Sequence, residues 1–253
     1  IDNDLDEAYA QGDATLEGAE FTIYNKSKES VMVNGKEIAV DGAALVITTN
    51  AEGIATSAQK VLPYGSYLVK ETKPSEGYLL NEKWSRAFRI RTDGEMIDLT
   101  ADKVREAVER GGVQIIKRDK ELVKSEALGG AHLDGIVMTI KNVSGRDVVV
   151  RKDLDNKTDK IDWKKLESKK DLFESEAIKR IPTGKDVGKI TVHWNEEKKA
   201  YTAETLPDDL PYGTYTIRES KTNESYQRTD KTEHMFTVRE DGVMVSFDDN
   251  QNE

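Results

Sequence analysis

Three polar residues stand where strand alternation points them toward a core. Val113, Ile115 and Lys117 fall two apart, as do Tyr215, Ile217 and Glu219, and again Val245, Phe247 and Asp249. Side chains along a β-strand alternate between faces, so the apolar residues in each run set the inward register. An amine and two acids share that register, which an ordinary solvent-facing charge would avoid. Burial disfavours the ionised forms of amine and acid alike. A lysine and a carboxylic acid held there either stay as a buried ion pair or exchange the proton and react.

Other chemistries find little support. The chain has no cysteine, which excludes disulfides, thiolate zinc sites and cysteine nucleophiles. His132, His193 and His234 lack partners at metal-ligand spacing and read as surface or strand residues. No nucleophile-elbow motif accompanies the serines. Asp153-Leu154-Asp155-Asn156-Lys157-Thr158-Asp159 has the acids of a calcium loop, but Lys157 and Thr158 stand where such a loop needs a ligand and a glycine. A solvated acidic loop is the expectation. No metal, no cofactor and no enzymatic activity on a diffusible substrate are expected.

The elements that position the three polar residues occur twice. Leu16-Glu17-Gly18 leads into Phe21, Ile23 and Asn25, and Leu133-Asp134-Gly135 leads into Met138, Ile140 and Asn142. Leu62-Pro63-Tyr64-Gly65-Ser66-Tyr67 through Glu71 matches Leu210-Pro211-Tyr212-Gly213-Thr214-Tyr215 through Glu219. Tyr78 and Tyr226 follow each glutamate, and each copy ends in a strand closing at an Asp-Gly turn, Asp93-Gly94 and Asp241-Gly242. A repeat of this length fixes the architecture before any single residue does. The extra residues of copy two lie between Asn142 and Leu210. There Trp163, Leu166, Leu172 and Phe173 follow the cap-like Asp162 at a rough helical spacing. The charged run Asp102 to Arg110 predicts one or two helical turns as a linker.

Length, composition and charge agree with two small β domains. The chain of 253 residues is 36% hydrophobic and 34% charged, with a formal charge of -10. Lean cores and solvated faces suit sandwiches. The acidic balance argues against nucleic acid, which needs a basic footprint. No apolar run reaches the ~20 residues of a membrane span, and no signal peptide is present, so the sequence reads as a cytosolic protein or an excised piece of an exported one.

These residues resemble the SpaA or CnaB-type domains of Gram-positive pilins and surface adhesins. The resemblance rests on the Leu-x-Gly strand start, the Gly-Ser/Thr-Tyr-x-Val/Ile-x-Glu strand, Tyr78 and Tyr226, and Gly112-Val113-Gln114-Ile115-Ile116-Lys117-Arg118-Asp119. It covers nearly all the chain outside the insert. It implies an all-β fold of two tandem prealbumin- or immunoglobulin-like β-sandwiches. Domain 1 would span 1–110 with a truncated first strand. Domain 2 would span 111–253 with a partly helical insert at about 150–185, and a short helical linker would join the two.

The resemblance also implies an autocatalytic amide bond from a first-strand lysine to a last-strand Asn or Asp, promoted by a strand glutamate. Carried over residue by residue, the lysine is Lys117, the glutamate Glu219 and the acceptor Asp249, with Asp248, Asn250 and Asn142 as alternatives. Asn25 and Asn142 occupy equivalent places, where capping a turn is the commoner role. In copy one the lysine position falls just before Ile1 and Ala101 takes the acceptor position. Glu71 remains, and no crosslink is expected within 1–101 unless Asp98 or Asp102 substitutes.

The leading expectation is an extracellular spacer in a cell-wall-anchored pilin or adhesin, whose partners are neighbouring domains of the same protein. The alternative is an adhesin module whose insert binds a host protein or glycan through Trp163, Phe173 and Trp194.

Overall fold

A computed structural model of the chain describes residues 1–119, 124–125, 129, 131–226 and 233–248. The chain divides into two compact units, Ile1–Ala10 with Ala14–Ala107, and Gln11–Asp13 with Val108–Glu253.

Unit 1 contains β1 (Glu20–Asn25), β2 (Val31–Val33), β3 (Lys36–Ile38), β4 (Ala43–Thr48), β5 (Gly65–Lys73) and β6 (Ser85–Ile90). Four of them form one antiparallel sheet in the order β4-β1-β5-β6, and β2-β3 is a separate hairpin. Strand alternation buries Phe21 and Ile23 from β1, Tyr67 and Val69 from β5, and Ile90 from β6. Trp84, Ile97, Leu99 and Val104 pack on that face without belonging to a strand.

Unit 2 has a complete sandwich. Its strands are β7 (Arg110–Lys117), β8 (Val137–Asn142), β9 (Val148–Arg151), β10 (Ile178–Ile181), β11 (Asp186–Thr191), β12 (His193–Asn195), β13 (Ala200–Glu204), β14 (Leu210–Pro211), β15 (Gly213–Lys221), β16 (His234–Val238) and β17 (Met244–Asp248). One sheet runs β11-β8-β15-β16, the counterpart of β4-β1-β5-β6. The other is built on β7, with β13 antiparallel to it and β17 parallel to it. Val113, Ile115, Ile140, Tyr215 and Ile217 meet in the core between them.

The same corner locks both copies. The Tyr67 hydroxyl donates to the Pro63 carbonyl at 2.8 Å and Tyr215 to Pro211 at 2.7 Å. Each ring stacks on the next strand's phenylalanine, Tyr67 on Phe88 and Tyr215 on Phe236. Gly65 and Gly213 start these strands because a Cβ there would lie 2.6 Å from Ser27 Oγ and 2.5 Å from Ser144 Oγ.

Two expectations are corrected. The run from Asp102 to Arg110 is not a helix: Glu106 N–H donates to the Ile1 carbonyl, and the carbonyls of Glu106 and Ala107 accept from Asn3 and Leu79. Those long-range partners consume the groups a helix would pair internally, and Arg110 is already in β7. The insert is not helical either, beyond the single turn α1 (Lys170–Glu174), which buries no residue and has no side-chain cap. Its spacing misled because Lys169 turns inward, its ammonium bonding the carbonyls of Asp162 at 3.1 Å and Lys165 at 2.7 Å. The insert is an expanded hairpin. Domain 1 joins β2 to β3 through Asn34-Gly35, whereas domain 2 joins the paired β9 and β10 through residues 152–177.

Candidate functional site

Lys117 ends β7 and Glu219 lies near the end of β15, in opposite sheets of domain 2. Parity brings them together: Lys117 Nζ lies 3.1 Å from Glu219 Oε2, with side chains only 15% and 12% exposed. An ion pair so shielded is not an ordinary surface pair, and truncating either partner would strand the other in a poorly solvated place. Two residues beyond Lys117, the carboxylate of Asp119 is buried and accepts the Tyr226 hydroxyl at 2.6 Å. Tyrosine and aspartate thereby pin the segment leaving β7.

The candidate acceptors are placed differently. Asp248 ends β17 and pairs with Ile116 of β7, while Asp249 and Asn250 lie outside the described residues. The Asn142 side chain is fully buried and committed to a turn, donating to Arg146 and Ile181 carbonyls and accepting from Ser144 N–H. Asn25 does the same with Glu29, Ile38 and Ser27.

Domain 1 repeats the surroundings with other occupants. Tyr78 donates to Asp2 at 2.7 Å, as Tyr226 does to Asp119. Glu71 is 5% exposed; its Oε2 accepts from Asn81 N–H at 2.8 Å, and its Oε1 is buried with no donor. Beside it stands Glu106, a residue sequence reasoning missed. Burial, then a hydrogen bond with Glu71 and that residue's charge, push the Glu106 carboxyl up to about 9. It is therefore protonated at neutral pH and is the donor that Glu71 otherwise lacks. The backbone nitrogen of Ile1 donates to the Val104 carbonyl at 2.7 Å. Asp102 instead pairs with Arg86 at 2.7 Å at the surface, and Asp98 caps Thr100.

The remaining candidates are accounted for locally. His193 meets Asp134 at 3.1 Å in an exposed pair, and His132 is exposed. Asp153 and Asn156 cap their own turns, and Asp155 accepts from Thr191. Among the described residues no cluster of acids and histidines could hold a metal ion. Trp163 is buried under the Arg110 guanidinium, 3.4 Å from its ring centroid. Phe173 is half-buried, and Trp194, 40% exposed, lies edge-on to Tyr201. Arg110 also bonds the carbonyls of Asp208 and Val149, while Arg151 and Asp209 form a buried two-pronged pair at 2.8 Å. No local pattern announces these contacts, whose partners lie 39 to 98 residues apart.

Comparison with known proteins gives a family and a set of similar structures. The family described as SpaA, prealbumin-like fold domain, matches residues 7–105 and 118–251. The Bacillus anthracis TIE protein is 25% identical over 94% of this chain and 31% of that chain, with a TM-score of 0.45. The minor pilin GBS52 of Streptococcus agalactiae is 16% identical over 93% of this chain and 82% of that one, TM-score 0.29. The shaft pilin SpaA of Lactobacillus rhamnosus GG is 17% identical over 92% and 86%, TM-score 0.29. The chain thus spans less than a third of the Bacillus anthracis protein. No curated protein sequence matches it.

Proposed function

Because the chain belongs to the SpaA family of prealbumin-like fold domains, a structural and not a catalytic family, we propose that it is a load-bearing segment of a cell-surface pilin or adhesin. Its setting is extracellular, on a Gram-positive cell wall, with other domains or subunits of the same assembly as partners. Among the described residues, no helix is long and apolar enough to cross a membrane.

The observation that carries the reading is the shielded approach of Lys117 to Glu219 at 3.1 Å. In the proposed reaction Lys117 Nζ, uncharged, bonds to the Asp249 side-chain carbonyl carbon. Glu219 takes the amine proton and passes a proton to the departing hydroxyl, so one water leaves and one amide remains. The reaction runs once per molecule and needs no cofactor. The parallel register pairs Phe247 with Ile115 and Asp248 with Ile116, and Asp249 is the proposed acceptor because it follows them at the parity of Val245 and Phe247. Such a link would tie β7 to the end of the last strand, and tension along a stalk would bypass the core.

Intact mass tests it. The crosslinked chain is lighter than its formula by one water, or by one ammonia if Asn250 is the acceptor, and a full formula mass defeats the proposal. The burial of Trp163 under Arg110 favours the spacer over the host-binding alternative, because it removes one of the three candidate aromatic anchors from any recognition surface.

A further inference from the structure

Strand β13 turns Tyr201 and Ala203 toward the core of domain 2, so Thr202 and Glu204 point to the outer face of its sheet. A threonine on an outer face is ordinarily solvated, yet Thr202 is only 5% exposed. Its cover is the first stretch of the insert. Asp155 accepts the Thr191 backbone N–H at 2.9 Å and the Thr191 hydroxyl at 2.5 Å, and Lys157 reaches Glu204 at 3.5 Å. Between that stretch and β12-β13 lies a pocket of about 480 Å³, to which Asp153, Asn156, Trp194, Asn195 and Thr202 contribute. The Thr202 hydroxyl makes no hydrogen bond to any described residue.

We propose that this pocket binds one ring of a neutral saccharide. The Thr202 hydroxyl is both donor and acceptor, and a hydroxyl so deeply placed without a protein partner is completed by a ligand hydroxyl. Charge narrows the ligand class. Asp153, Asp155 and Glu204 against Lys157 leave the lining acidic, which repels carboxylated and phosphorylated ligands. A cation finds its counter-charges already engaged. Glu204 takes Gln114, Lys198 and Lys157, and both oxygens of Asp155 serve Thr191. Hydroxyl groups suit what remains. The Asn195 side-chain oxygen caps the turn at Glu197 and Lys198, which leaves its amide N–H groups to donate. Trp194, 40% exposed, adds an aromatic surface for the C–H face of a sugar ring. A concave site of this volume with an aromatic residue and a few convergent polar groups is of the size that holds small ligands. The site uses neither Lys117 nor Glu219, so it stands whether or not the crosslink forms.

The test titrates the isotope-labelled full chain with glucose, galactose, mannose and N-acetylglucosamine and follows amide chemical shifts by NMR. Saturable shifts at residues 153–157, 191–195 and 202–204 are expected with at least one of these sugars, and none with glucuronate. Thr202→Val is expected to weaken binding about tenfold, the order of one buried hydrogen bond, while Thr202→Ser, which keeps the hydroxyl, retains it. Two further arms separate the sources of such a sugar. Tighter binding of an N-acetylglucosamine trimer points to the bacterial wall, and tighter binding of a galactose-terminated oligosaccharide to a host surface, either supporting the site. Unmoved pocket resonances with all four sugars overturn the proposal, as does equal binding by glucuronate or by a folded Thr202→Val chain. Shifts with a lysine amide and none with the sugars also overturn it, by assigning the pocket to a peptide side chain.

Discussion

Domain 1 and domain 2 share one sheet, one tyrosine corner and one glutamate, yet differ in what stands opposite that glutamate. In domain 2, β7 lies between β13 and β17 and delivers Lys117 to Glu219. In domain 1 Glu71 lies beside Glu106, whose carboxyl is raised to about 9. The difference teaches that the glutamate's role is set by the group that faces it. Facing an amine it is an ion-pair partner. Facing a second carboxyl, it shares a proton with it, which avoids the cost of two adjacent buried charges.

The largest break in this comparison is Lys117→Ala. A bond from Lys117 to Asp249 closes a loop of about 132 residues, for which chain entropy gives about 5 kcal/mol. Domain 2 should then unfold at a markedly lower temperature by calorimetry while domain 1 is unmoved. An unchanged domain 2 transition would count against the crosslink. Next comes Arg151→Ala, which leaves Asp209 buried and unpaired beside the insert. It should cost domain 2 about 3–5 kcal/mol in denaturant unfolding, with the crosslink mass retained.

A pH series sharpens the contrast from the other side. The Glu106 carboxyl is raised from 4.5 to about 9 in the folded state, so folded domain 1 holds a proton that the unfolded chain releases. That stabilisation is fully present below about pH 4.5 and is lost as pH rises through about 9. The domain 1 midpoint should fall over that window, and Glu106→Gln should flatten the fall. A midpoint equally steep in the variant would contradict the shared proton. The smallest effects belong to the shared corner: Tyr67→Phe and Tyr215→Phe each lose one hydroxyl bond to a carbonyl and should cost about 1 kcal/mol. Similar losses in the two domains would confirm that the corner acts independently of β7.

Much of this was legible in the sequence because period-two alternation survives where one face is buried. The shared parity of Ile115 with Lys117 and of Ile217 with Glu219 is readable in the sequence, and in the structure the two polar side chains lie 3.1 Å apart. The same rule, applied to Val104, Glu106 and Val108, would have found Glu106. The charged residues around it suggested a helix instead, and the long-range backbone bonds that hold it extended leave no local signal. Asp2 matches Asp119 at the repeat's own spacing of 117, so the pairs with Tyr78 and Tyr226 were also readable. The insert was not: Trp163, Leu166, Leu172 and Phe173 fit a helical stripe. What orders the segment is a buried lysine binding carbonyls and an arginine from β7 stacked on Trp163.

The most direct test is sequencing of proteolytic peptides for a branch at Lys117. A branched species joining the Lys117 fragment to the fragment containing Asp249, absent from Glu219→Ala, is the predicted result. Complete recovery of the unmodified linear Lys117 peptide from the folded protein would contradict it.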